Sequence, residues 1–203
     1  MAPLRTQAIT DPAHLKALAS PVRQELIDLL GRTGPVSAAE LGALVRRPAD
    51  GLYYHLRALQ RVGLVAAAGT RVSGGRSETL FRAIHREPAL RHDPSPRGNT
   101  PAVVAIVAAM LRLGIRDFRQ AAASAGVRTQ GPRRELWALR VTGRLSPSEV
   151  ADVNRRMRAL RDTVAKPSQG KLYAITILLT PLGHRVRKKQ RRPSSQRRKK
   201  GAR

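Results

Sequence analysis

Between Ala17 and Ile84 the order of helix-starting and helix-stopping residues leaves the chain few ways to fold. Ser20-Pro21 sets a capping serine before a proline at a first helical position, where the missing N–H costs nothing. Val22 to Leu30 follows, with Leu26, Ile27, Leu29 and Leu30 as its apolar face and Gly31 as the expected C-cap. Ser37-Ala38-Ala39-Glu40 is a capping box, in which serine and glutamate satisfy each other's free backbone N–H groups, and its short helix should end near Val45. The turn Arg46-Arg47-Pro48 leads into another helix, running from about Pro48 to Val62 and stopped by Gly63. Leu52, Leu56 and Leu59 recur there at helical spacing and point inward, while Asp50, Tyr53, Tyr54, Arg57 and Arg61 fall on the other side. Leu64 to Ala67 and Glu78 to Ile84 read as two strands joined by a Gly-, Arg- and Ser-rich tip, residues 69–77.

Helix, turn, helix and basic hairpin in that order outline a winged helix-turn-helix, which is built to place one helix in the major groove of DNA. The expected fold is therefore mainly α with a β wing over residues 9–86, including a first helix opened by Asp11-Pro12 and running through Ala19. Residues 87–100 carry three prolines without periodicity and read as a linker.

Residues 101–183 are expected to form a small α+β module for dimerisation or effector binding. Its helix from Pro101 to about Ala125 places Val103, Val107, Met110, Leu111 and Phe118 near one stripe. A strand over 133–145 would carry Trp137, Leu139 and Val141 on one face. A second capping box, Ser146-Pro147-Ser148-Glu149, opens a helix to about Val164 that presents Val150, Val153, Met157 and Leu160. The β-branched, apolar run over 171–182 reads as a last strand, and residues 184–203 as a disordered basic tail.

Charge points to the partner. The formal net charge is +26, and its most common physical meaning is a polyanion, nucleic acid first and anionic membrane second. The tail holds 11 Lys and Arg and no acid, so +26 less these 11 leaves +15 on the remainder. Aromatic residues make up 3% of the chain, so the core must be built from Leu, Val, Ile and Ala. No cysteine is present, which excludes disulfides, thiolate metal sites and thiol chemistry. The N-terminus lacks the apolar run of a secretory signal, and the most apolar segment, 102–111, is far short of a membrane span. A cytoplasmic protein without membrane attachment is expected.

The segments LASPVRQELIDLL, SAAELGALV and LYYHLRALQRVGLV resemble the DNA-binding domain of ArsR-type winged-helix regulators. LSPSEV, its helix and LYAITILLTPL resemble a module that follows such domains in many bacterial regulators. The resemblance implies a homodimeric transcriptional regulator, a repressor or autoregulator, on a palindromic operator in double-stranded DNA. The chain departs from the metal-sensing members: thiolate ligands are missing, and His14, His55, His85, His92 and His184 show no paired ligand spacing on one helix. No metal and no cofactor are expected, and a small-molecule effector stays open.

The expected DNA-binding residues are Ser37, Ala49, Asp50, Tyr53, Tyr54, His55, Arg57, Arg61, Arg71 and Arg76. A tyrosine can donate to a phosphate or base edge while its ring packs on sugar or a thymine methyl, or it can simply pack inside the domain. Arg57 can read guanine or hold a phosphate, and His55 at the helix rim reads as structural or phosphate-contacting rather than metal-binding or pH-sensing. Gly51 either permits close approach to the DNA backbone or is incidental. Arg71 and Arg76 flank the wing tip, where an arginine enters a narrowed minor groove or stays a solvated charge. Ser37 and its helix start are placed for a phosphate.

Trp137 lines a small pocket or is structural, and the tail either tethers DNA or is uncommitted. The competing function is a nonspecific, nucleoid- or RNA-associated basic protein in which charge does the binding. An enzyme is not expected: a Gly-rich phosphate loop, HExxH, a thiol nucleophile and an evident carboxylate pair are all missing.

Overall fold

The computed structural model describes residues 7–85, 88–166 and 169–182. In chain order the elements are β1 (Gln7–Ile9), α1 (Pro12–Leu18), α2 (Pro21–Thr33), β2 (Val36–Ser37), α3 (Ala38–Val45) and α4 (Ala49–Arg61). They continue with β3 (Val65–Ser73), β4 (Arg76–Ala83), β5 (Pro88–Leu90), α5 (Thr100–Ala122) and α6 (Pro147–Ala165). Three strands form an antiparallel sheet in the order β2-β4-β3, behind the α3-turn-α4 unit. The fold is a winged helix.

Local chemistry explains most boundaries. Asp11 accepts from the Ala13 N–H at 2.8 Å and caps α1, and Ser37 and Glu40 close the capping box of α3. Gly63, at φ 72°, ends α4 as expected, with the Leu64 N–H bonded back to the Leu59 carbonyl at 3.0 Å. Gly31, by contrast, is not a C-cap. It is buried inside α2, which runs one turn further to Gly34 at φ 79°.

The core is one aliphatic cluster. Leu26 and Leu30 of α2, Leu41 of α3, and Leu52, Leu56 and Leu59 of α4 are all essentially inaccessible, beside Leu64 and, from the sheet, Phe81 and Ala83. The wing strands are longer than the sequence suggested, because the tip is only Gly74-Gly75, both at positive φ, the two-residue turn that suits a hairpin's twist. A register shift between Ala67 and Thr70 bends β3 on its way to that tip.

Residues 87–100 are not simply a linker. β5 pairs in parallel with β1, which sequence patterning missed because three residues are too few to show a period. The following loop is tied by the Asn99 side chain, which accepts from the Asp93 N–H at 2.8 Å and donates to the Arg91 carbonyl at 2.7 Å. It delivers α5 onto α1 and α2. Ile106 of α5 lies in the same core cluster as the leucines of α2 to α4. The Gln24 side chain on α2 donates to the carbonyls of Leu18 and Ile106, at 2.6 and 3.1 Å, so one amide joins three helices. Arg116 grips Glu25 of α2 bidentately at 2.6 and 2.8 Å. The stripe that docks is Ala102, Ile106, Ala109 and Met110, so Leu111 and Phe118 of the expected stripe stay exposed.

Two expected strands do not form. Residues 133–145 and 171–182 are irregular, with Trp137, Leu139, Val141, Leu172 and Ile175 exposed. They meet through Glu135, which accepts from Lys171 at 3.1 Å and Tyr173 at 2.7 Å, rather than through a ladder of backbone bonds. A strand pair without a core face to bury has little to hold it. The helix between them does form, from its capping box, but α6 buries no residue. The tail over 184–203 lies outside the described residues.

Because Ile106 completes the core of the winged domain, Ile106→Ala should lower the unfolding free energy by about 2–5 kcal/mol. Urea denaturation followed by circular dichroism should show one shifted transition. An unchanged midpoint would mean that α5 is not part of that core.

Candidate nucleic-acid interface

The inward leucines of α4 set its rotation, and its outward face follows. Ala49 is half-buried at the start of the helix, and Asp50, Tyr53, Tyr54, Arg57 and Arg61 are exposed along one side. Asp50 sits in the first turn, where a carboxylate complements the positive end of the helix dipole. The two tyrosines differ. Tyr53 is 38% exposed and its ring meets Phe81 of β4 edge-on, 6.3 Å between centroids, so it is anchored to the sheet. Tyr54 is 71% exposed, and the His55 ring stands edge-on to it, 5.3 Å between centroids.

His55 lies at the rim, in a small cleft of about 220 Å³ formed with Arg47, Pro48, Gly51 and Leu52. Its Nδ1 is buried and, among the described residues, has no hydrogen-bond partner. Burial, aided by the charges of Arg23 and Arg47, holds the imidazole below its usual range, so it is neutral near pH 7.

The turn before α4 depends on a residue that sequence reasoning passed over. The Gly42 carbonyl accepts from the N–H groups of Arg46 and Arg47, and Arg46 takes φ 54° to allow it. A Cβ on Gly42 would lie 2.7 Å from the Arg47 carbonyl oxygen, so only glycine lets α3 and the turn approach this closely. The signal was present: a glycine in the middle of the short, otherwise helix-favouring run AAELGALV.

Several expected contacts are placed differently. Ser37 is buried, and its hydroxyl accepts from the Glu40 N–H within the capping box, so the serine itself is not presented to a phosphate. Arg71 is not at the wing tip. It stands across from Glu78 in the β3–β4 register and binds Glu40 at 2.9 Å and Glu78 at 3.6 Å, tying the wing to the start of α3. The same contacts hold the Glu40 carboxyl below its usual range, after the Ser37 backbone N–H as the first cause. Arg76 does sit beside the Gly74-Gly75 tip and is exposed. Arg46, Arg47 and Arg82, none of them predicted, add exposed positive charge around the turn and on β4.

A helix held at a fixed rotation, with tyrosines and arginines outward and a basic hairpin behind it, defines a winged helix-turn-helix DNA-binding protein. Residues 18–66, spanning α2, α3, α4 and the start of β3, match a family model described as a helix-turn-helix domain. No curated protein matches the chain. Among the described residues no helix is long and apolar enough to cross a membrane.

A histidine held below its usual range favours folding in its neutral form. That contribution is complete above about pH 6.5 and is lost as the pH falls toward the depressed value. Replacing His55 with Gln should flatten the stability profile between pH 7 and 5, read by urea midpoints. A profile as steep as that of the parent would place the effect elsewhere. A Cβ on Gly51 would meet nothing within 4 Å among the described residues, so no packing seen there uses the glycine. Gly51→Ala should raise stability by about 0.5–1 kcal/mol and weaken DNA binding, because the methyl group faces the ligand side. Unchanged affinity on a gel-shift titration would make the glycine incidental.

Proposed function

We propose that this protein is a sequence-specific transcriptional regulator of the ArsR type. As a repressor or autoregulator it binds a palindromic operator as a homodimer, with α4 in the major groove and the wing on the flanking backbone. The observation that carries the reading is the outward face of α4. Tyr54 and Arg57 stand free of the core on a helix whose rotation is locked by Leu52, Leu56 and Leu59. A protein that bound by charge alone would have no use for that rigidity.

Support for the dimer is the apolar surface left open. Val104, Leu111, Ile115 and Phe118 form an exposed seam at roughly heptad spacing along α5, and Trp137, Leu139, Val141 and Ile175 are further exposed apolar residues of the C-terminal segments. A two-fold pair would set two α4 helices against successive major grooves about 34–36 Å apart.

A nonspecific nucleic-acid binder is the second reading, favoured by the net charge of +26. One comparison separates the two. An operator selected from a random duplex pool should lose about 1–3 kcal/mol of affinity with Tyr54→Ala or Arg57→Ala, while bulk DNA binding changes less. Deleting residues 184–203 should weaken all sequences nearly equally and shallow the salt dependence. Sedimentation should show a dimer at tens of micromolar or on the operator. If truncation abolished sequence preference while the α4 variants kept it, the charge-driven reading would replace this one.

A further inference from the structure

Away from α4 lies a cleft of about 860 Å³, within the usual range for small-molecule sites. One wall is α1, the other is the first turns of α5, and the loop 91–99 closes the end. Leu15, Ala19, Pro101, Ala102 and Ala105 supply an apolar floor. Lys16, Arg91 and Arg97 reach its edge, and among the described residues none of the three is ion-paired with a carboxylate.

The other titratable groups of the lining are engaged. Asp93 accepts from the Ser95 N–H at 3.0 Å, and His92 shares a hydrogen bond with Thr100 at 3.0 Å. The loop folds tightly where it bounds the cleft, since a Cβ on Gly98 would lie 2.1 Å from the Asp93 carbonyl oxygen. An apolar floor with a rim of three cations and one anion selects one class of ligand, an amphipathic anion with a hydrocarbon body and a single carboxylate-like head.

The cleft is wired to the DNA-binding helix. α1 forms its wall, and on the same short helix the His14 Nε2 lies 2.6 Å from the carbonyl oxygen of Val62, the residue that ends α4. A ligand that shifted α1 away from α5 would carry His14 with it. We propose that this cleft is an effector site for an amphipathic organic anion, whose occupation weakens operator binding through the His14–Val62 contact. The proposal rests on the regulator reading above and gives it a ligand class and a lever.

Decanoate serves as the probe, with decan-1-ol and decyltrimethylammonium as neutral and cationic controls of equal chain length, titrated calorimetrically into the full chain. Decanoate should bind once per chain and at least tenfold more tightly than either control. Arg97→Glu, which reverses charge at the rim, and Ala105→Trp, which fills the floor, should each weaken it at least tenfold. Saturating decanoate should weaken affinity for the selected operator at least fivefold, within the usual span of coupling between two sites. His14→Ala should keep decanoate binding and lose that effect, and His14→Gln, which retains a donor, should restore part of it.

Decanoate binding that ignores both cleft substitutions would place it on the basic tail or the exposed C-terminal residues and overturn the site. So would loss of DNA affinity in Arg97→Glu without loss of decanoate binding, which would make the rim a phosphate contact. Equal coupling in the parent and His14→Ala would overturn the lever. Failure of the regulator reading is separate, because it appears without ligand as the lack of any preferred DNA sequence.

Discussion

Everything outward on α4 depends on what it buries. Leu52, Leu56 and Leu59 lock into a pocket made by α2, α3 and the sheet, each with almost no exposure. A helix has one degree of freedom that matters for reading DNA, its rotation about its own axis, and three leucines at helical spacing remove it. A turn of 100° would expose leucine and bury Arg57, which close packing and the cost of an unpaired buried charge both forbid. The same packing needs the backbone approach at Gly42, since α4 can reach its groove against α3 only if the turn stays tight. Core and interface are thus two faces of one constraint.

The base of the wing is packed into the core through Val65, Phe81 and Ala83, whereas its distal part is restrained by charge. Arg71 bridges Glu40 at the start of α3 and Glu78 on the neighbouring strand, in positions open to solvent. Such pairs contribute little to stability one by one, and salt weakens them. Their value is in orientation: they limit how far the hairpin swings relative to the helix pair while leaving Arg76 at the tip uncommitted. In a chain with three basic residues for each acidic one, the acids are few and their placement carries information. Glu25, Glu40 and Glu135 each join segments that are distant in sequence or belong to different elements.

The two parts of the C-terminal half differ in kind. α5 shares the core of the winged domain and is held by buried amide and guanidinium contacts at Gln24 and Arg116. After α5 no described residue is buried, although the sequence remains rich in Leu, Ile and Val. Apolar, β-branched residues lie open over two irregular segments, an exposed apolar surface among the described residues. That exposed surface is what supports the homodimer proposed above.

The order of the helices, the capping boxes at Ser37 and Ser146, the stop at Gly63 and the inward leucines of α4 were all legible in the sequence. Each rests on contacts between residues a few positions apart, and local chemistry decides such contacts. The outward positions of Tyr54, Arg57 and Arg61 were legible for the same reason, because helical periodicity alone places them opposite the leucines. Only tertiary structure separated Tyr53 from Tyr54, by laying Phe81 against one ring, and only it moved Arg71 from the tip to Glu40. Likewise, the residues of 133–145 and 171–182 have strand-like sequences but no ladder, and Gly31 looks like a cap but is buried within a helix. In each case what decides lies beyond the few residues on either side in sequence. Periodicity reports which side of an element is apolar, whereas the identity of what covers that side is a property of the folded whole.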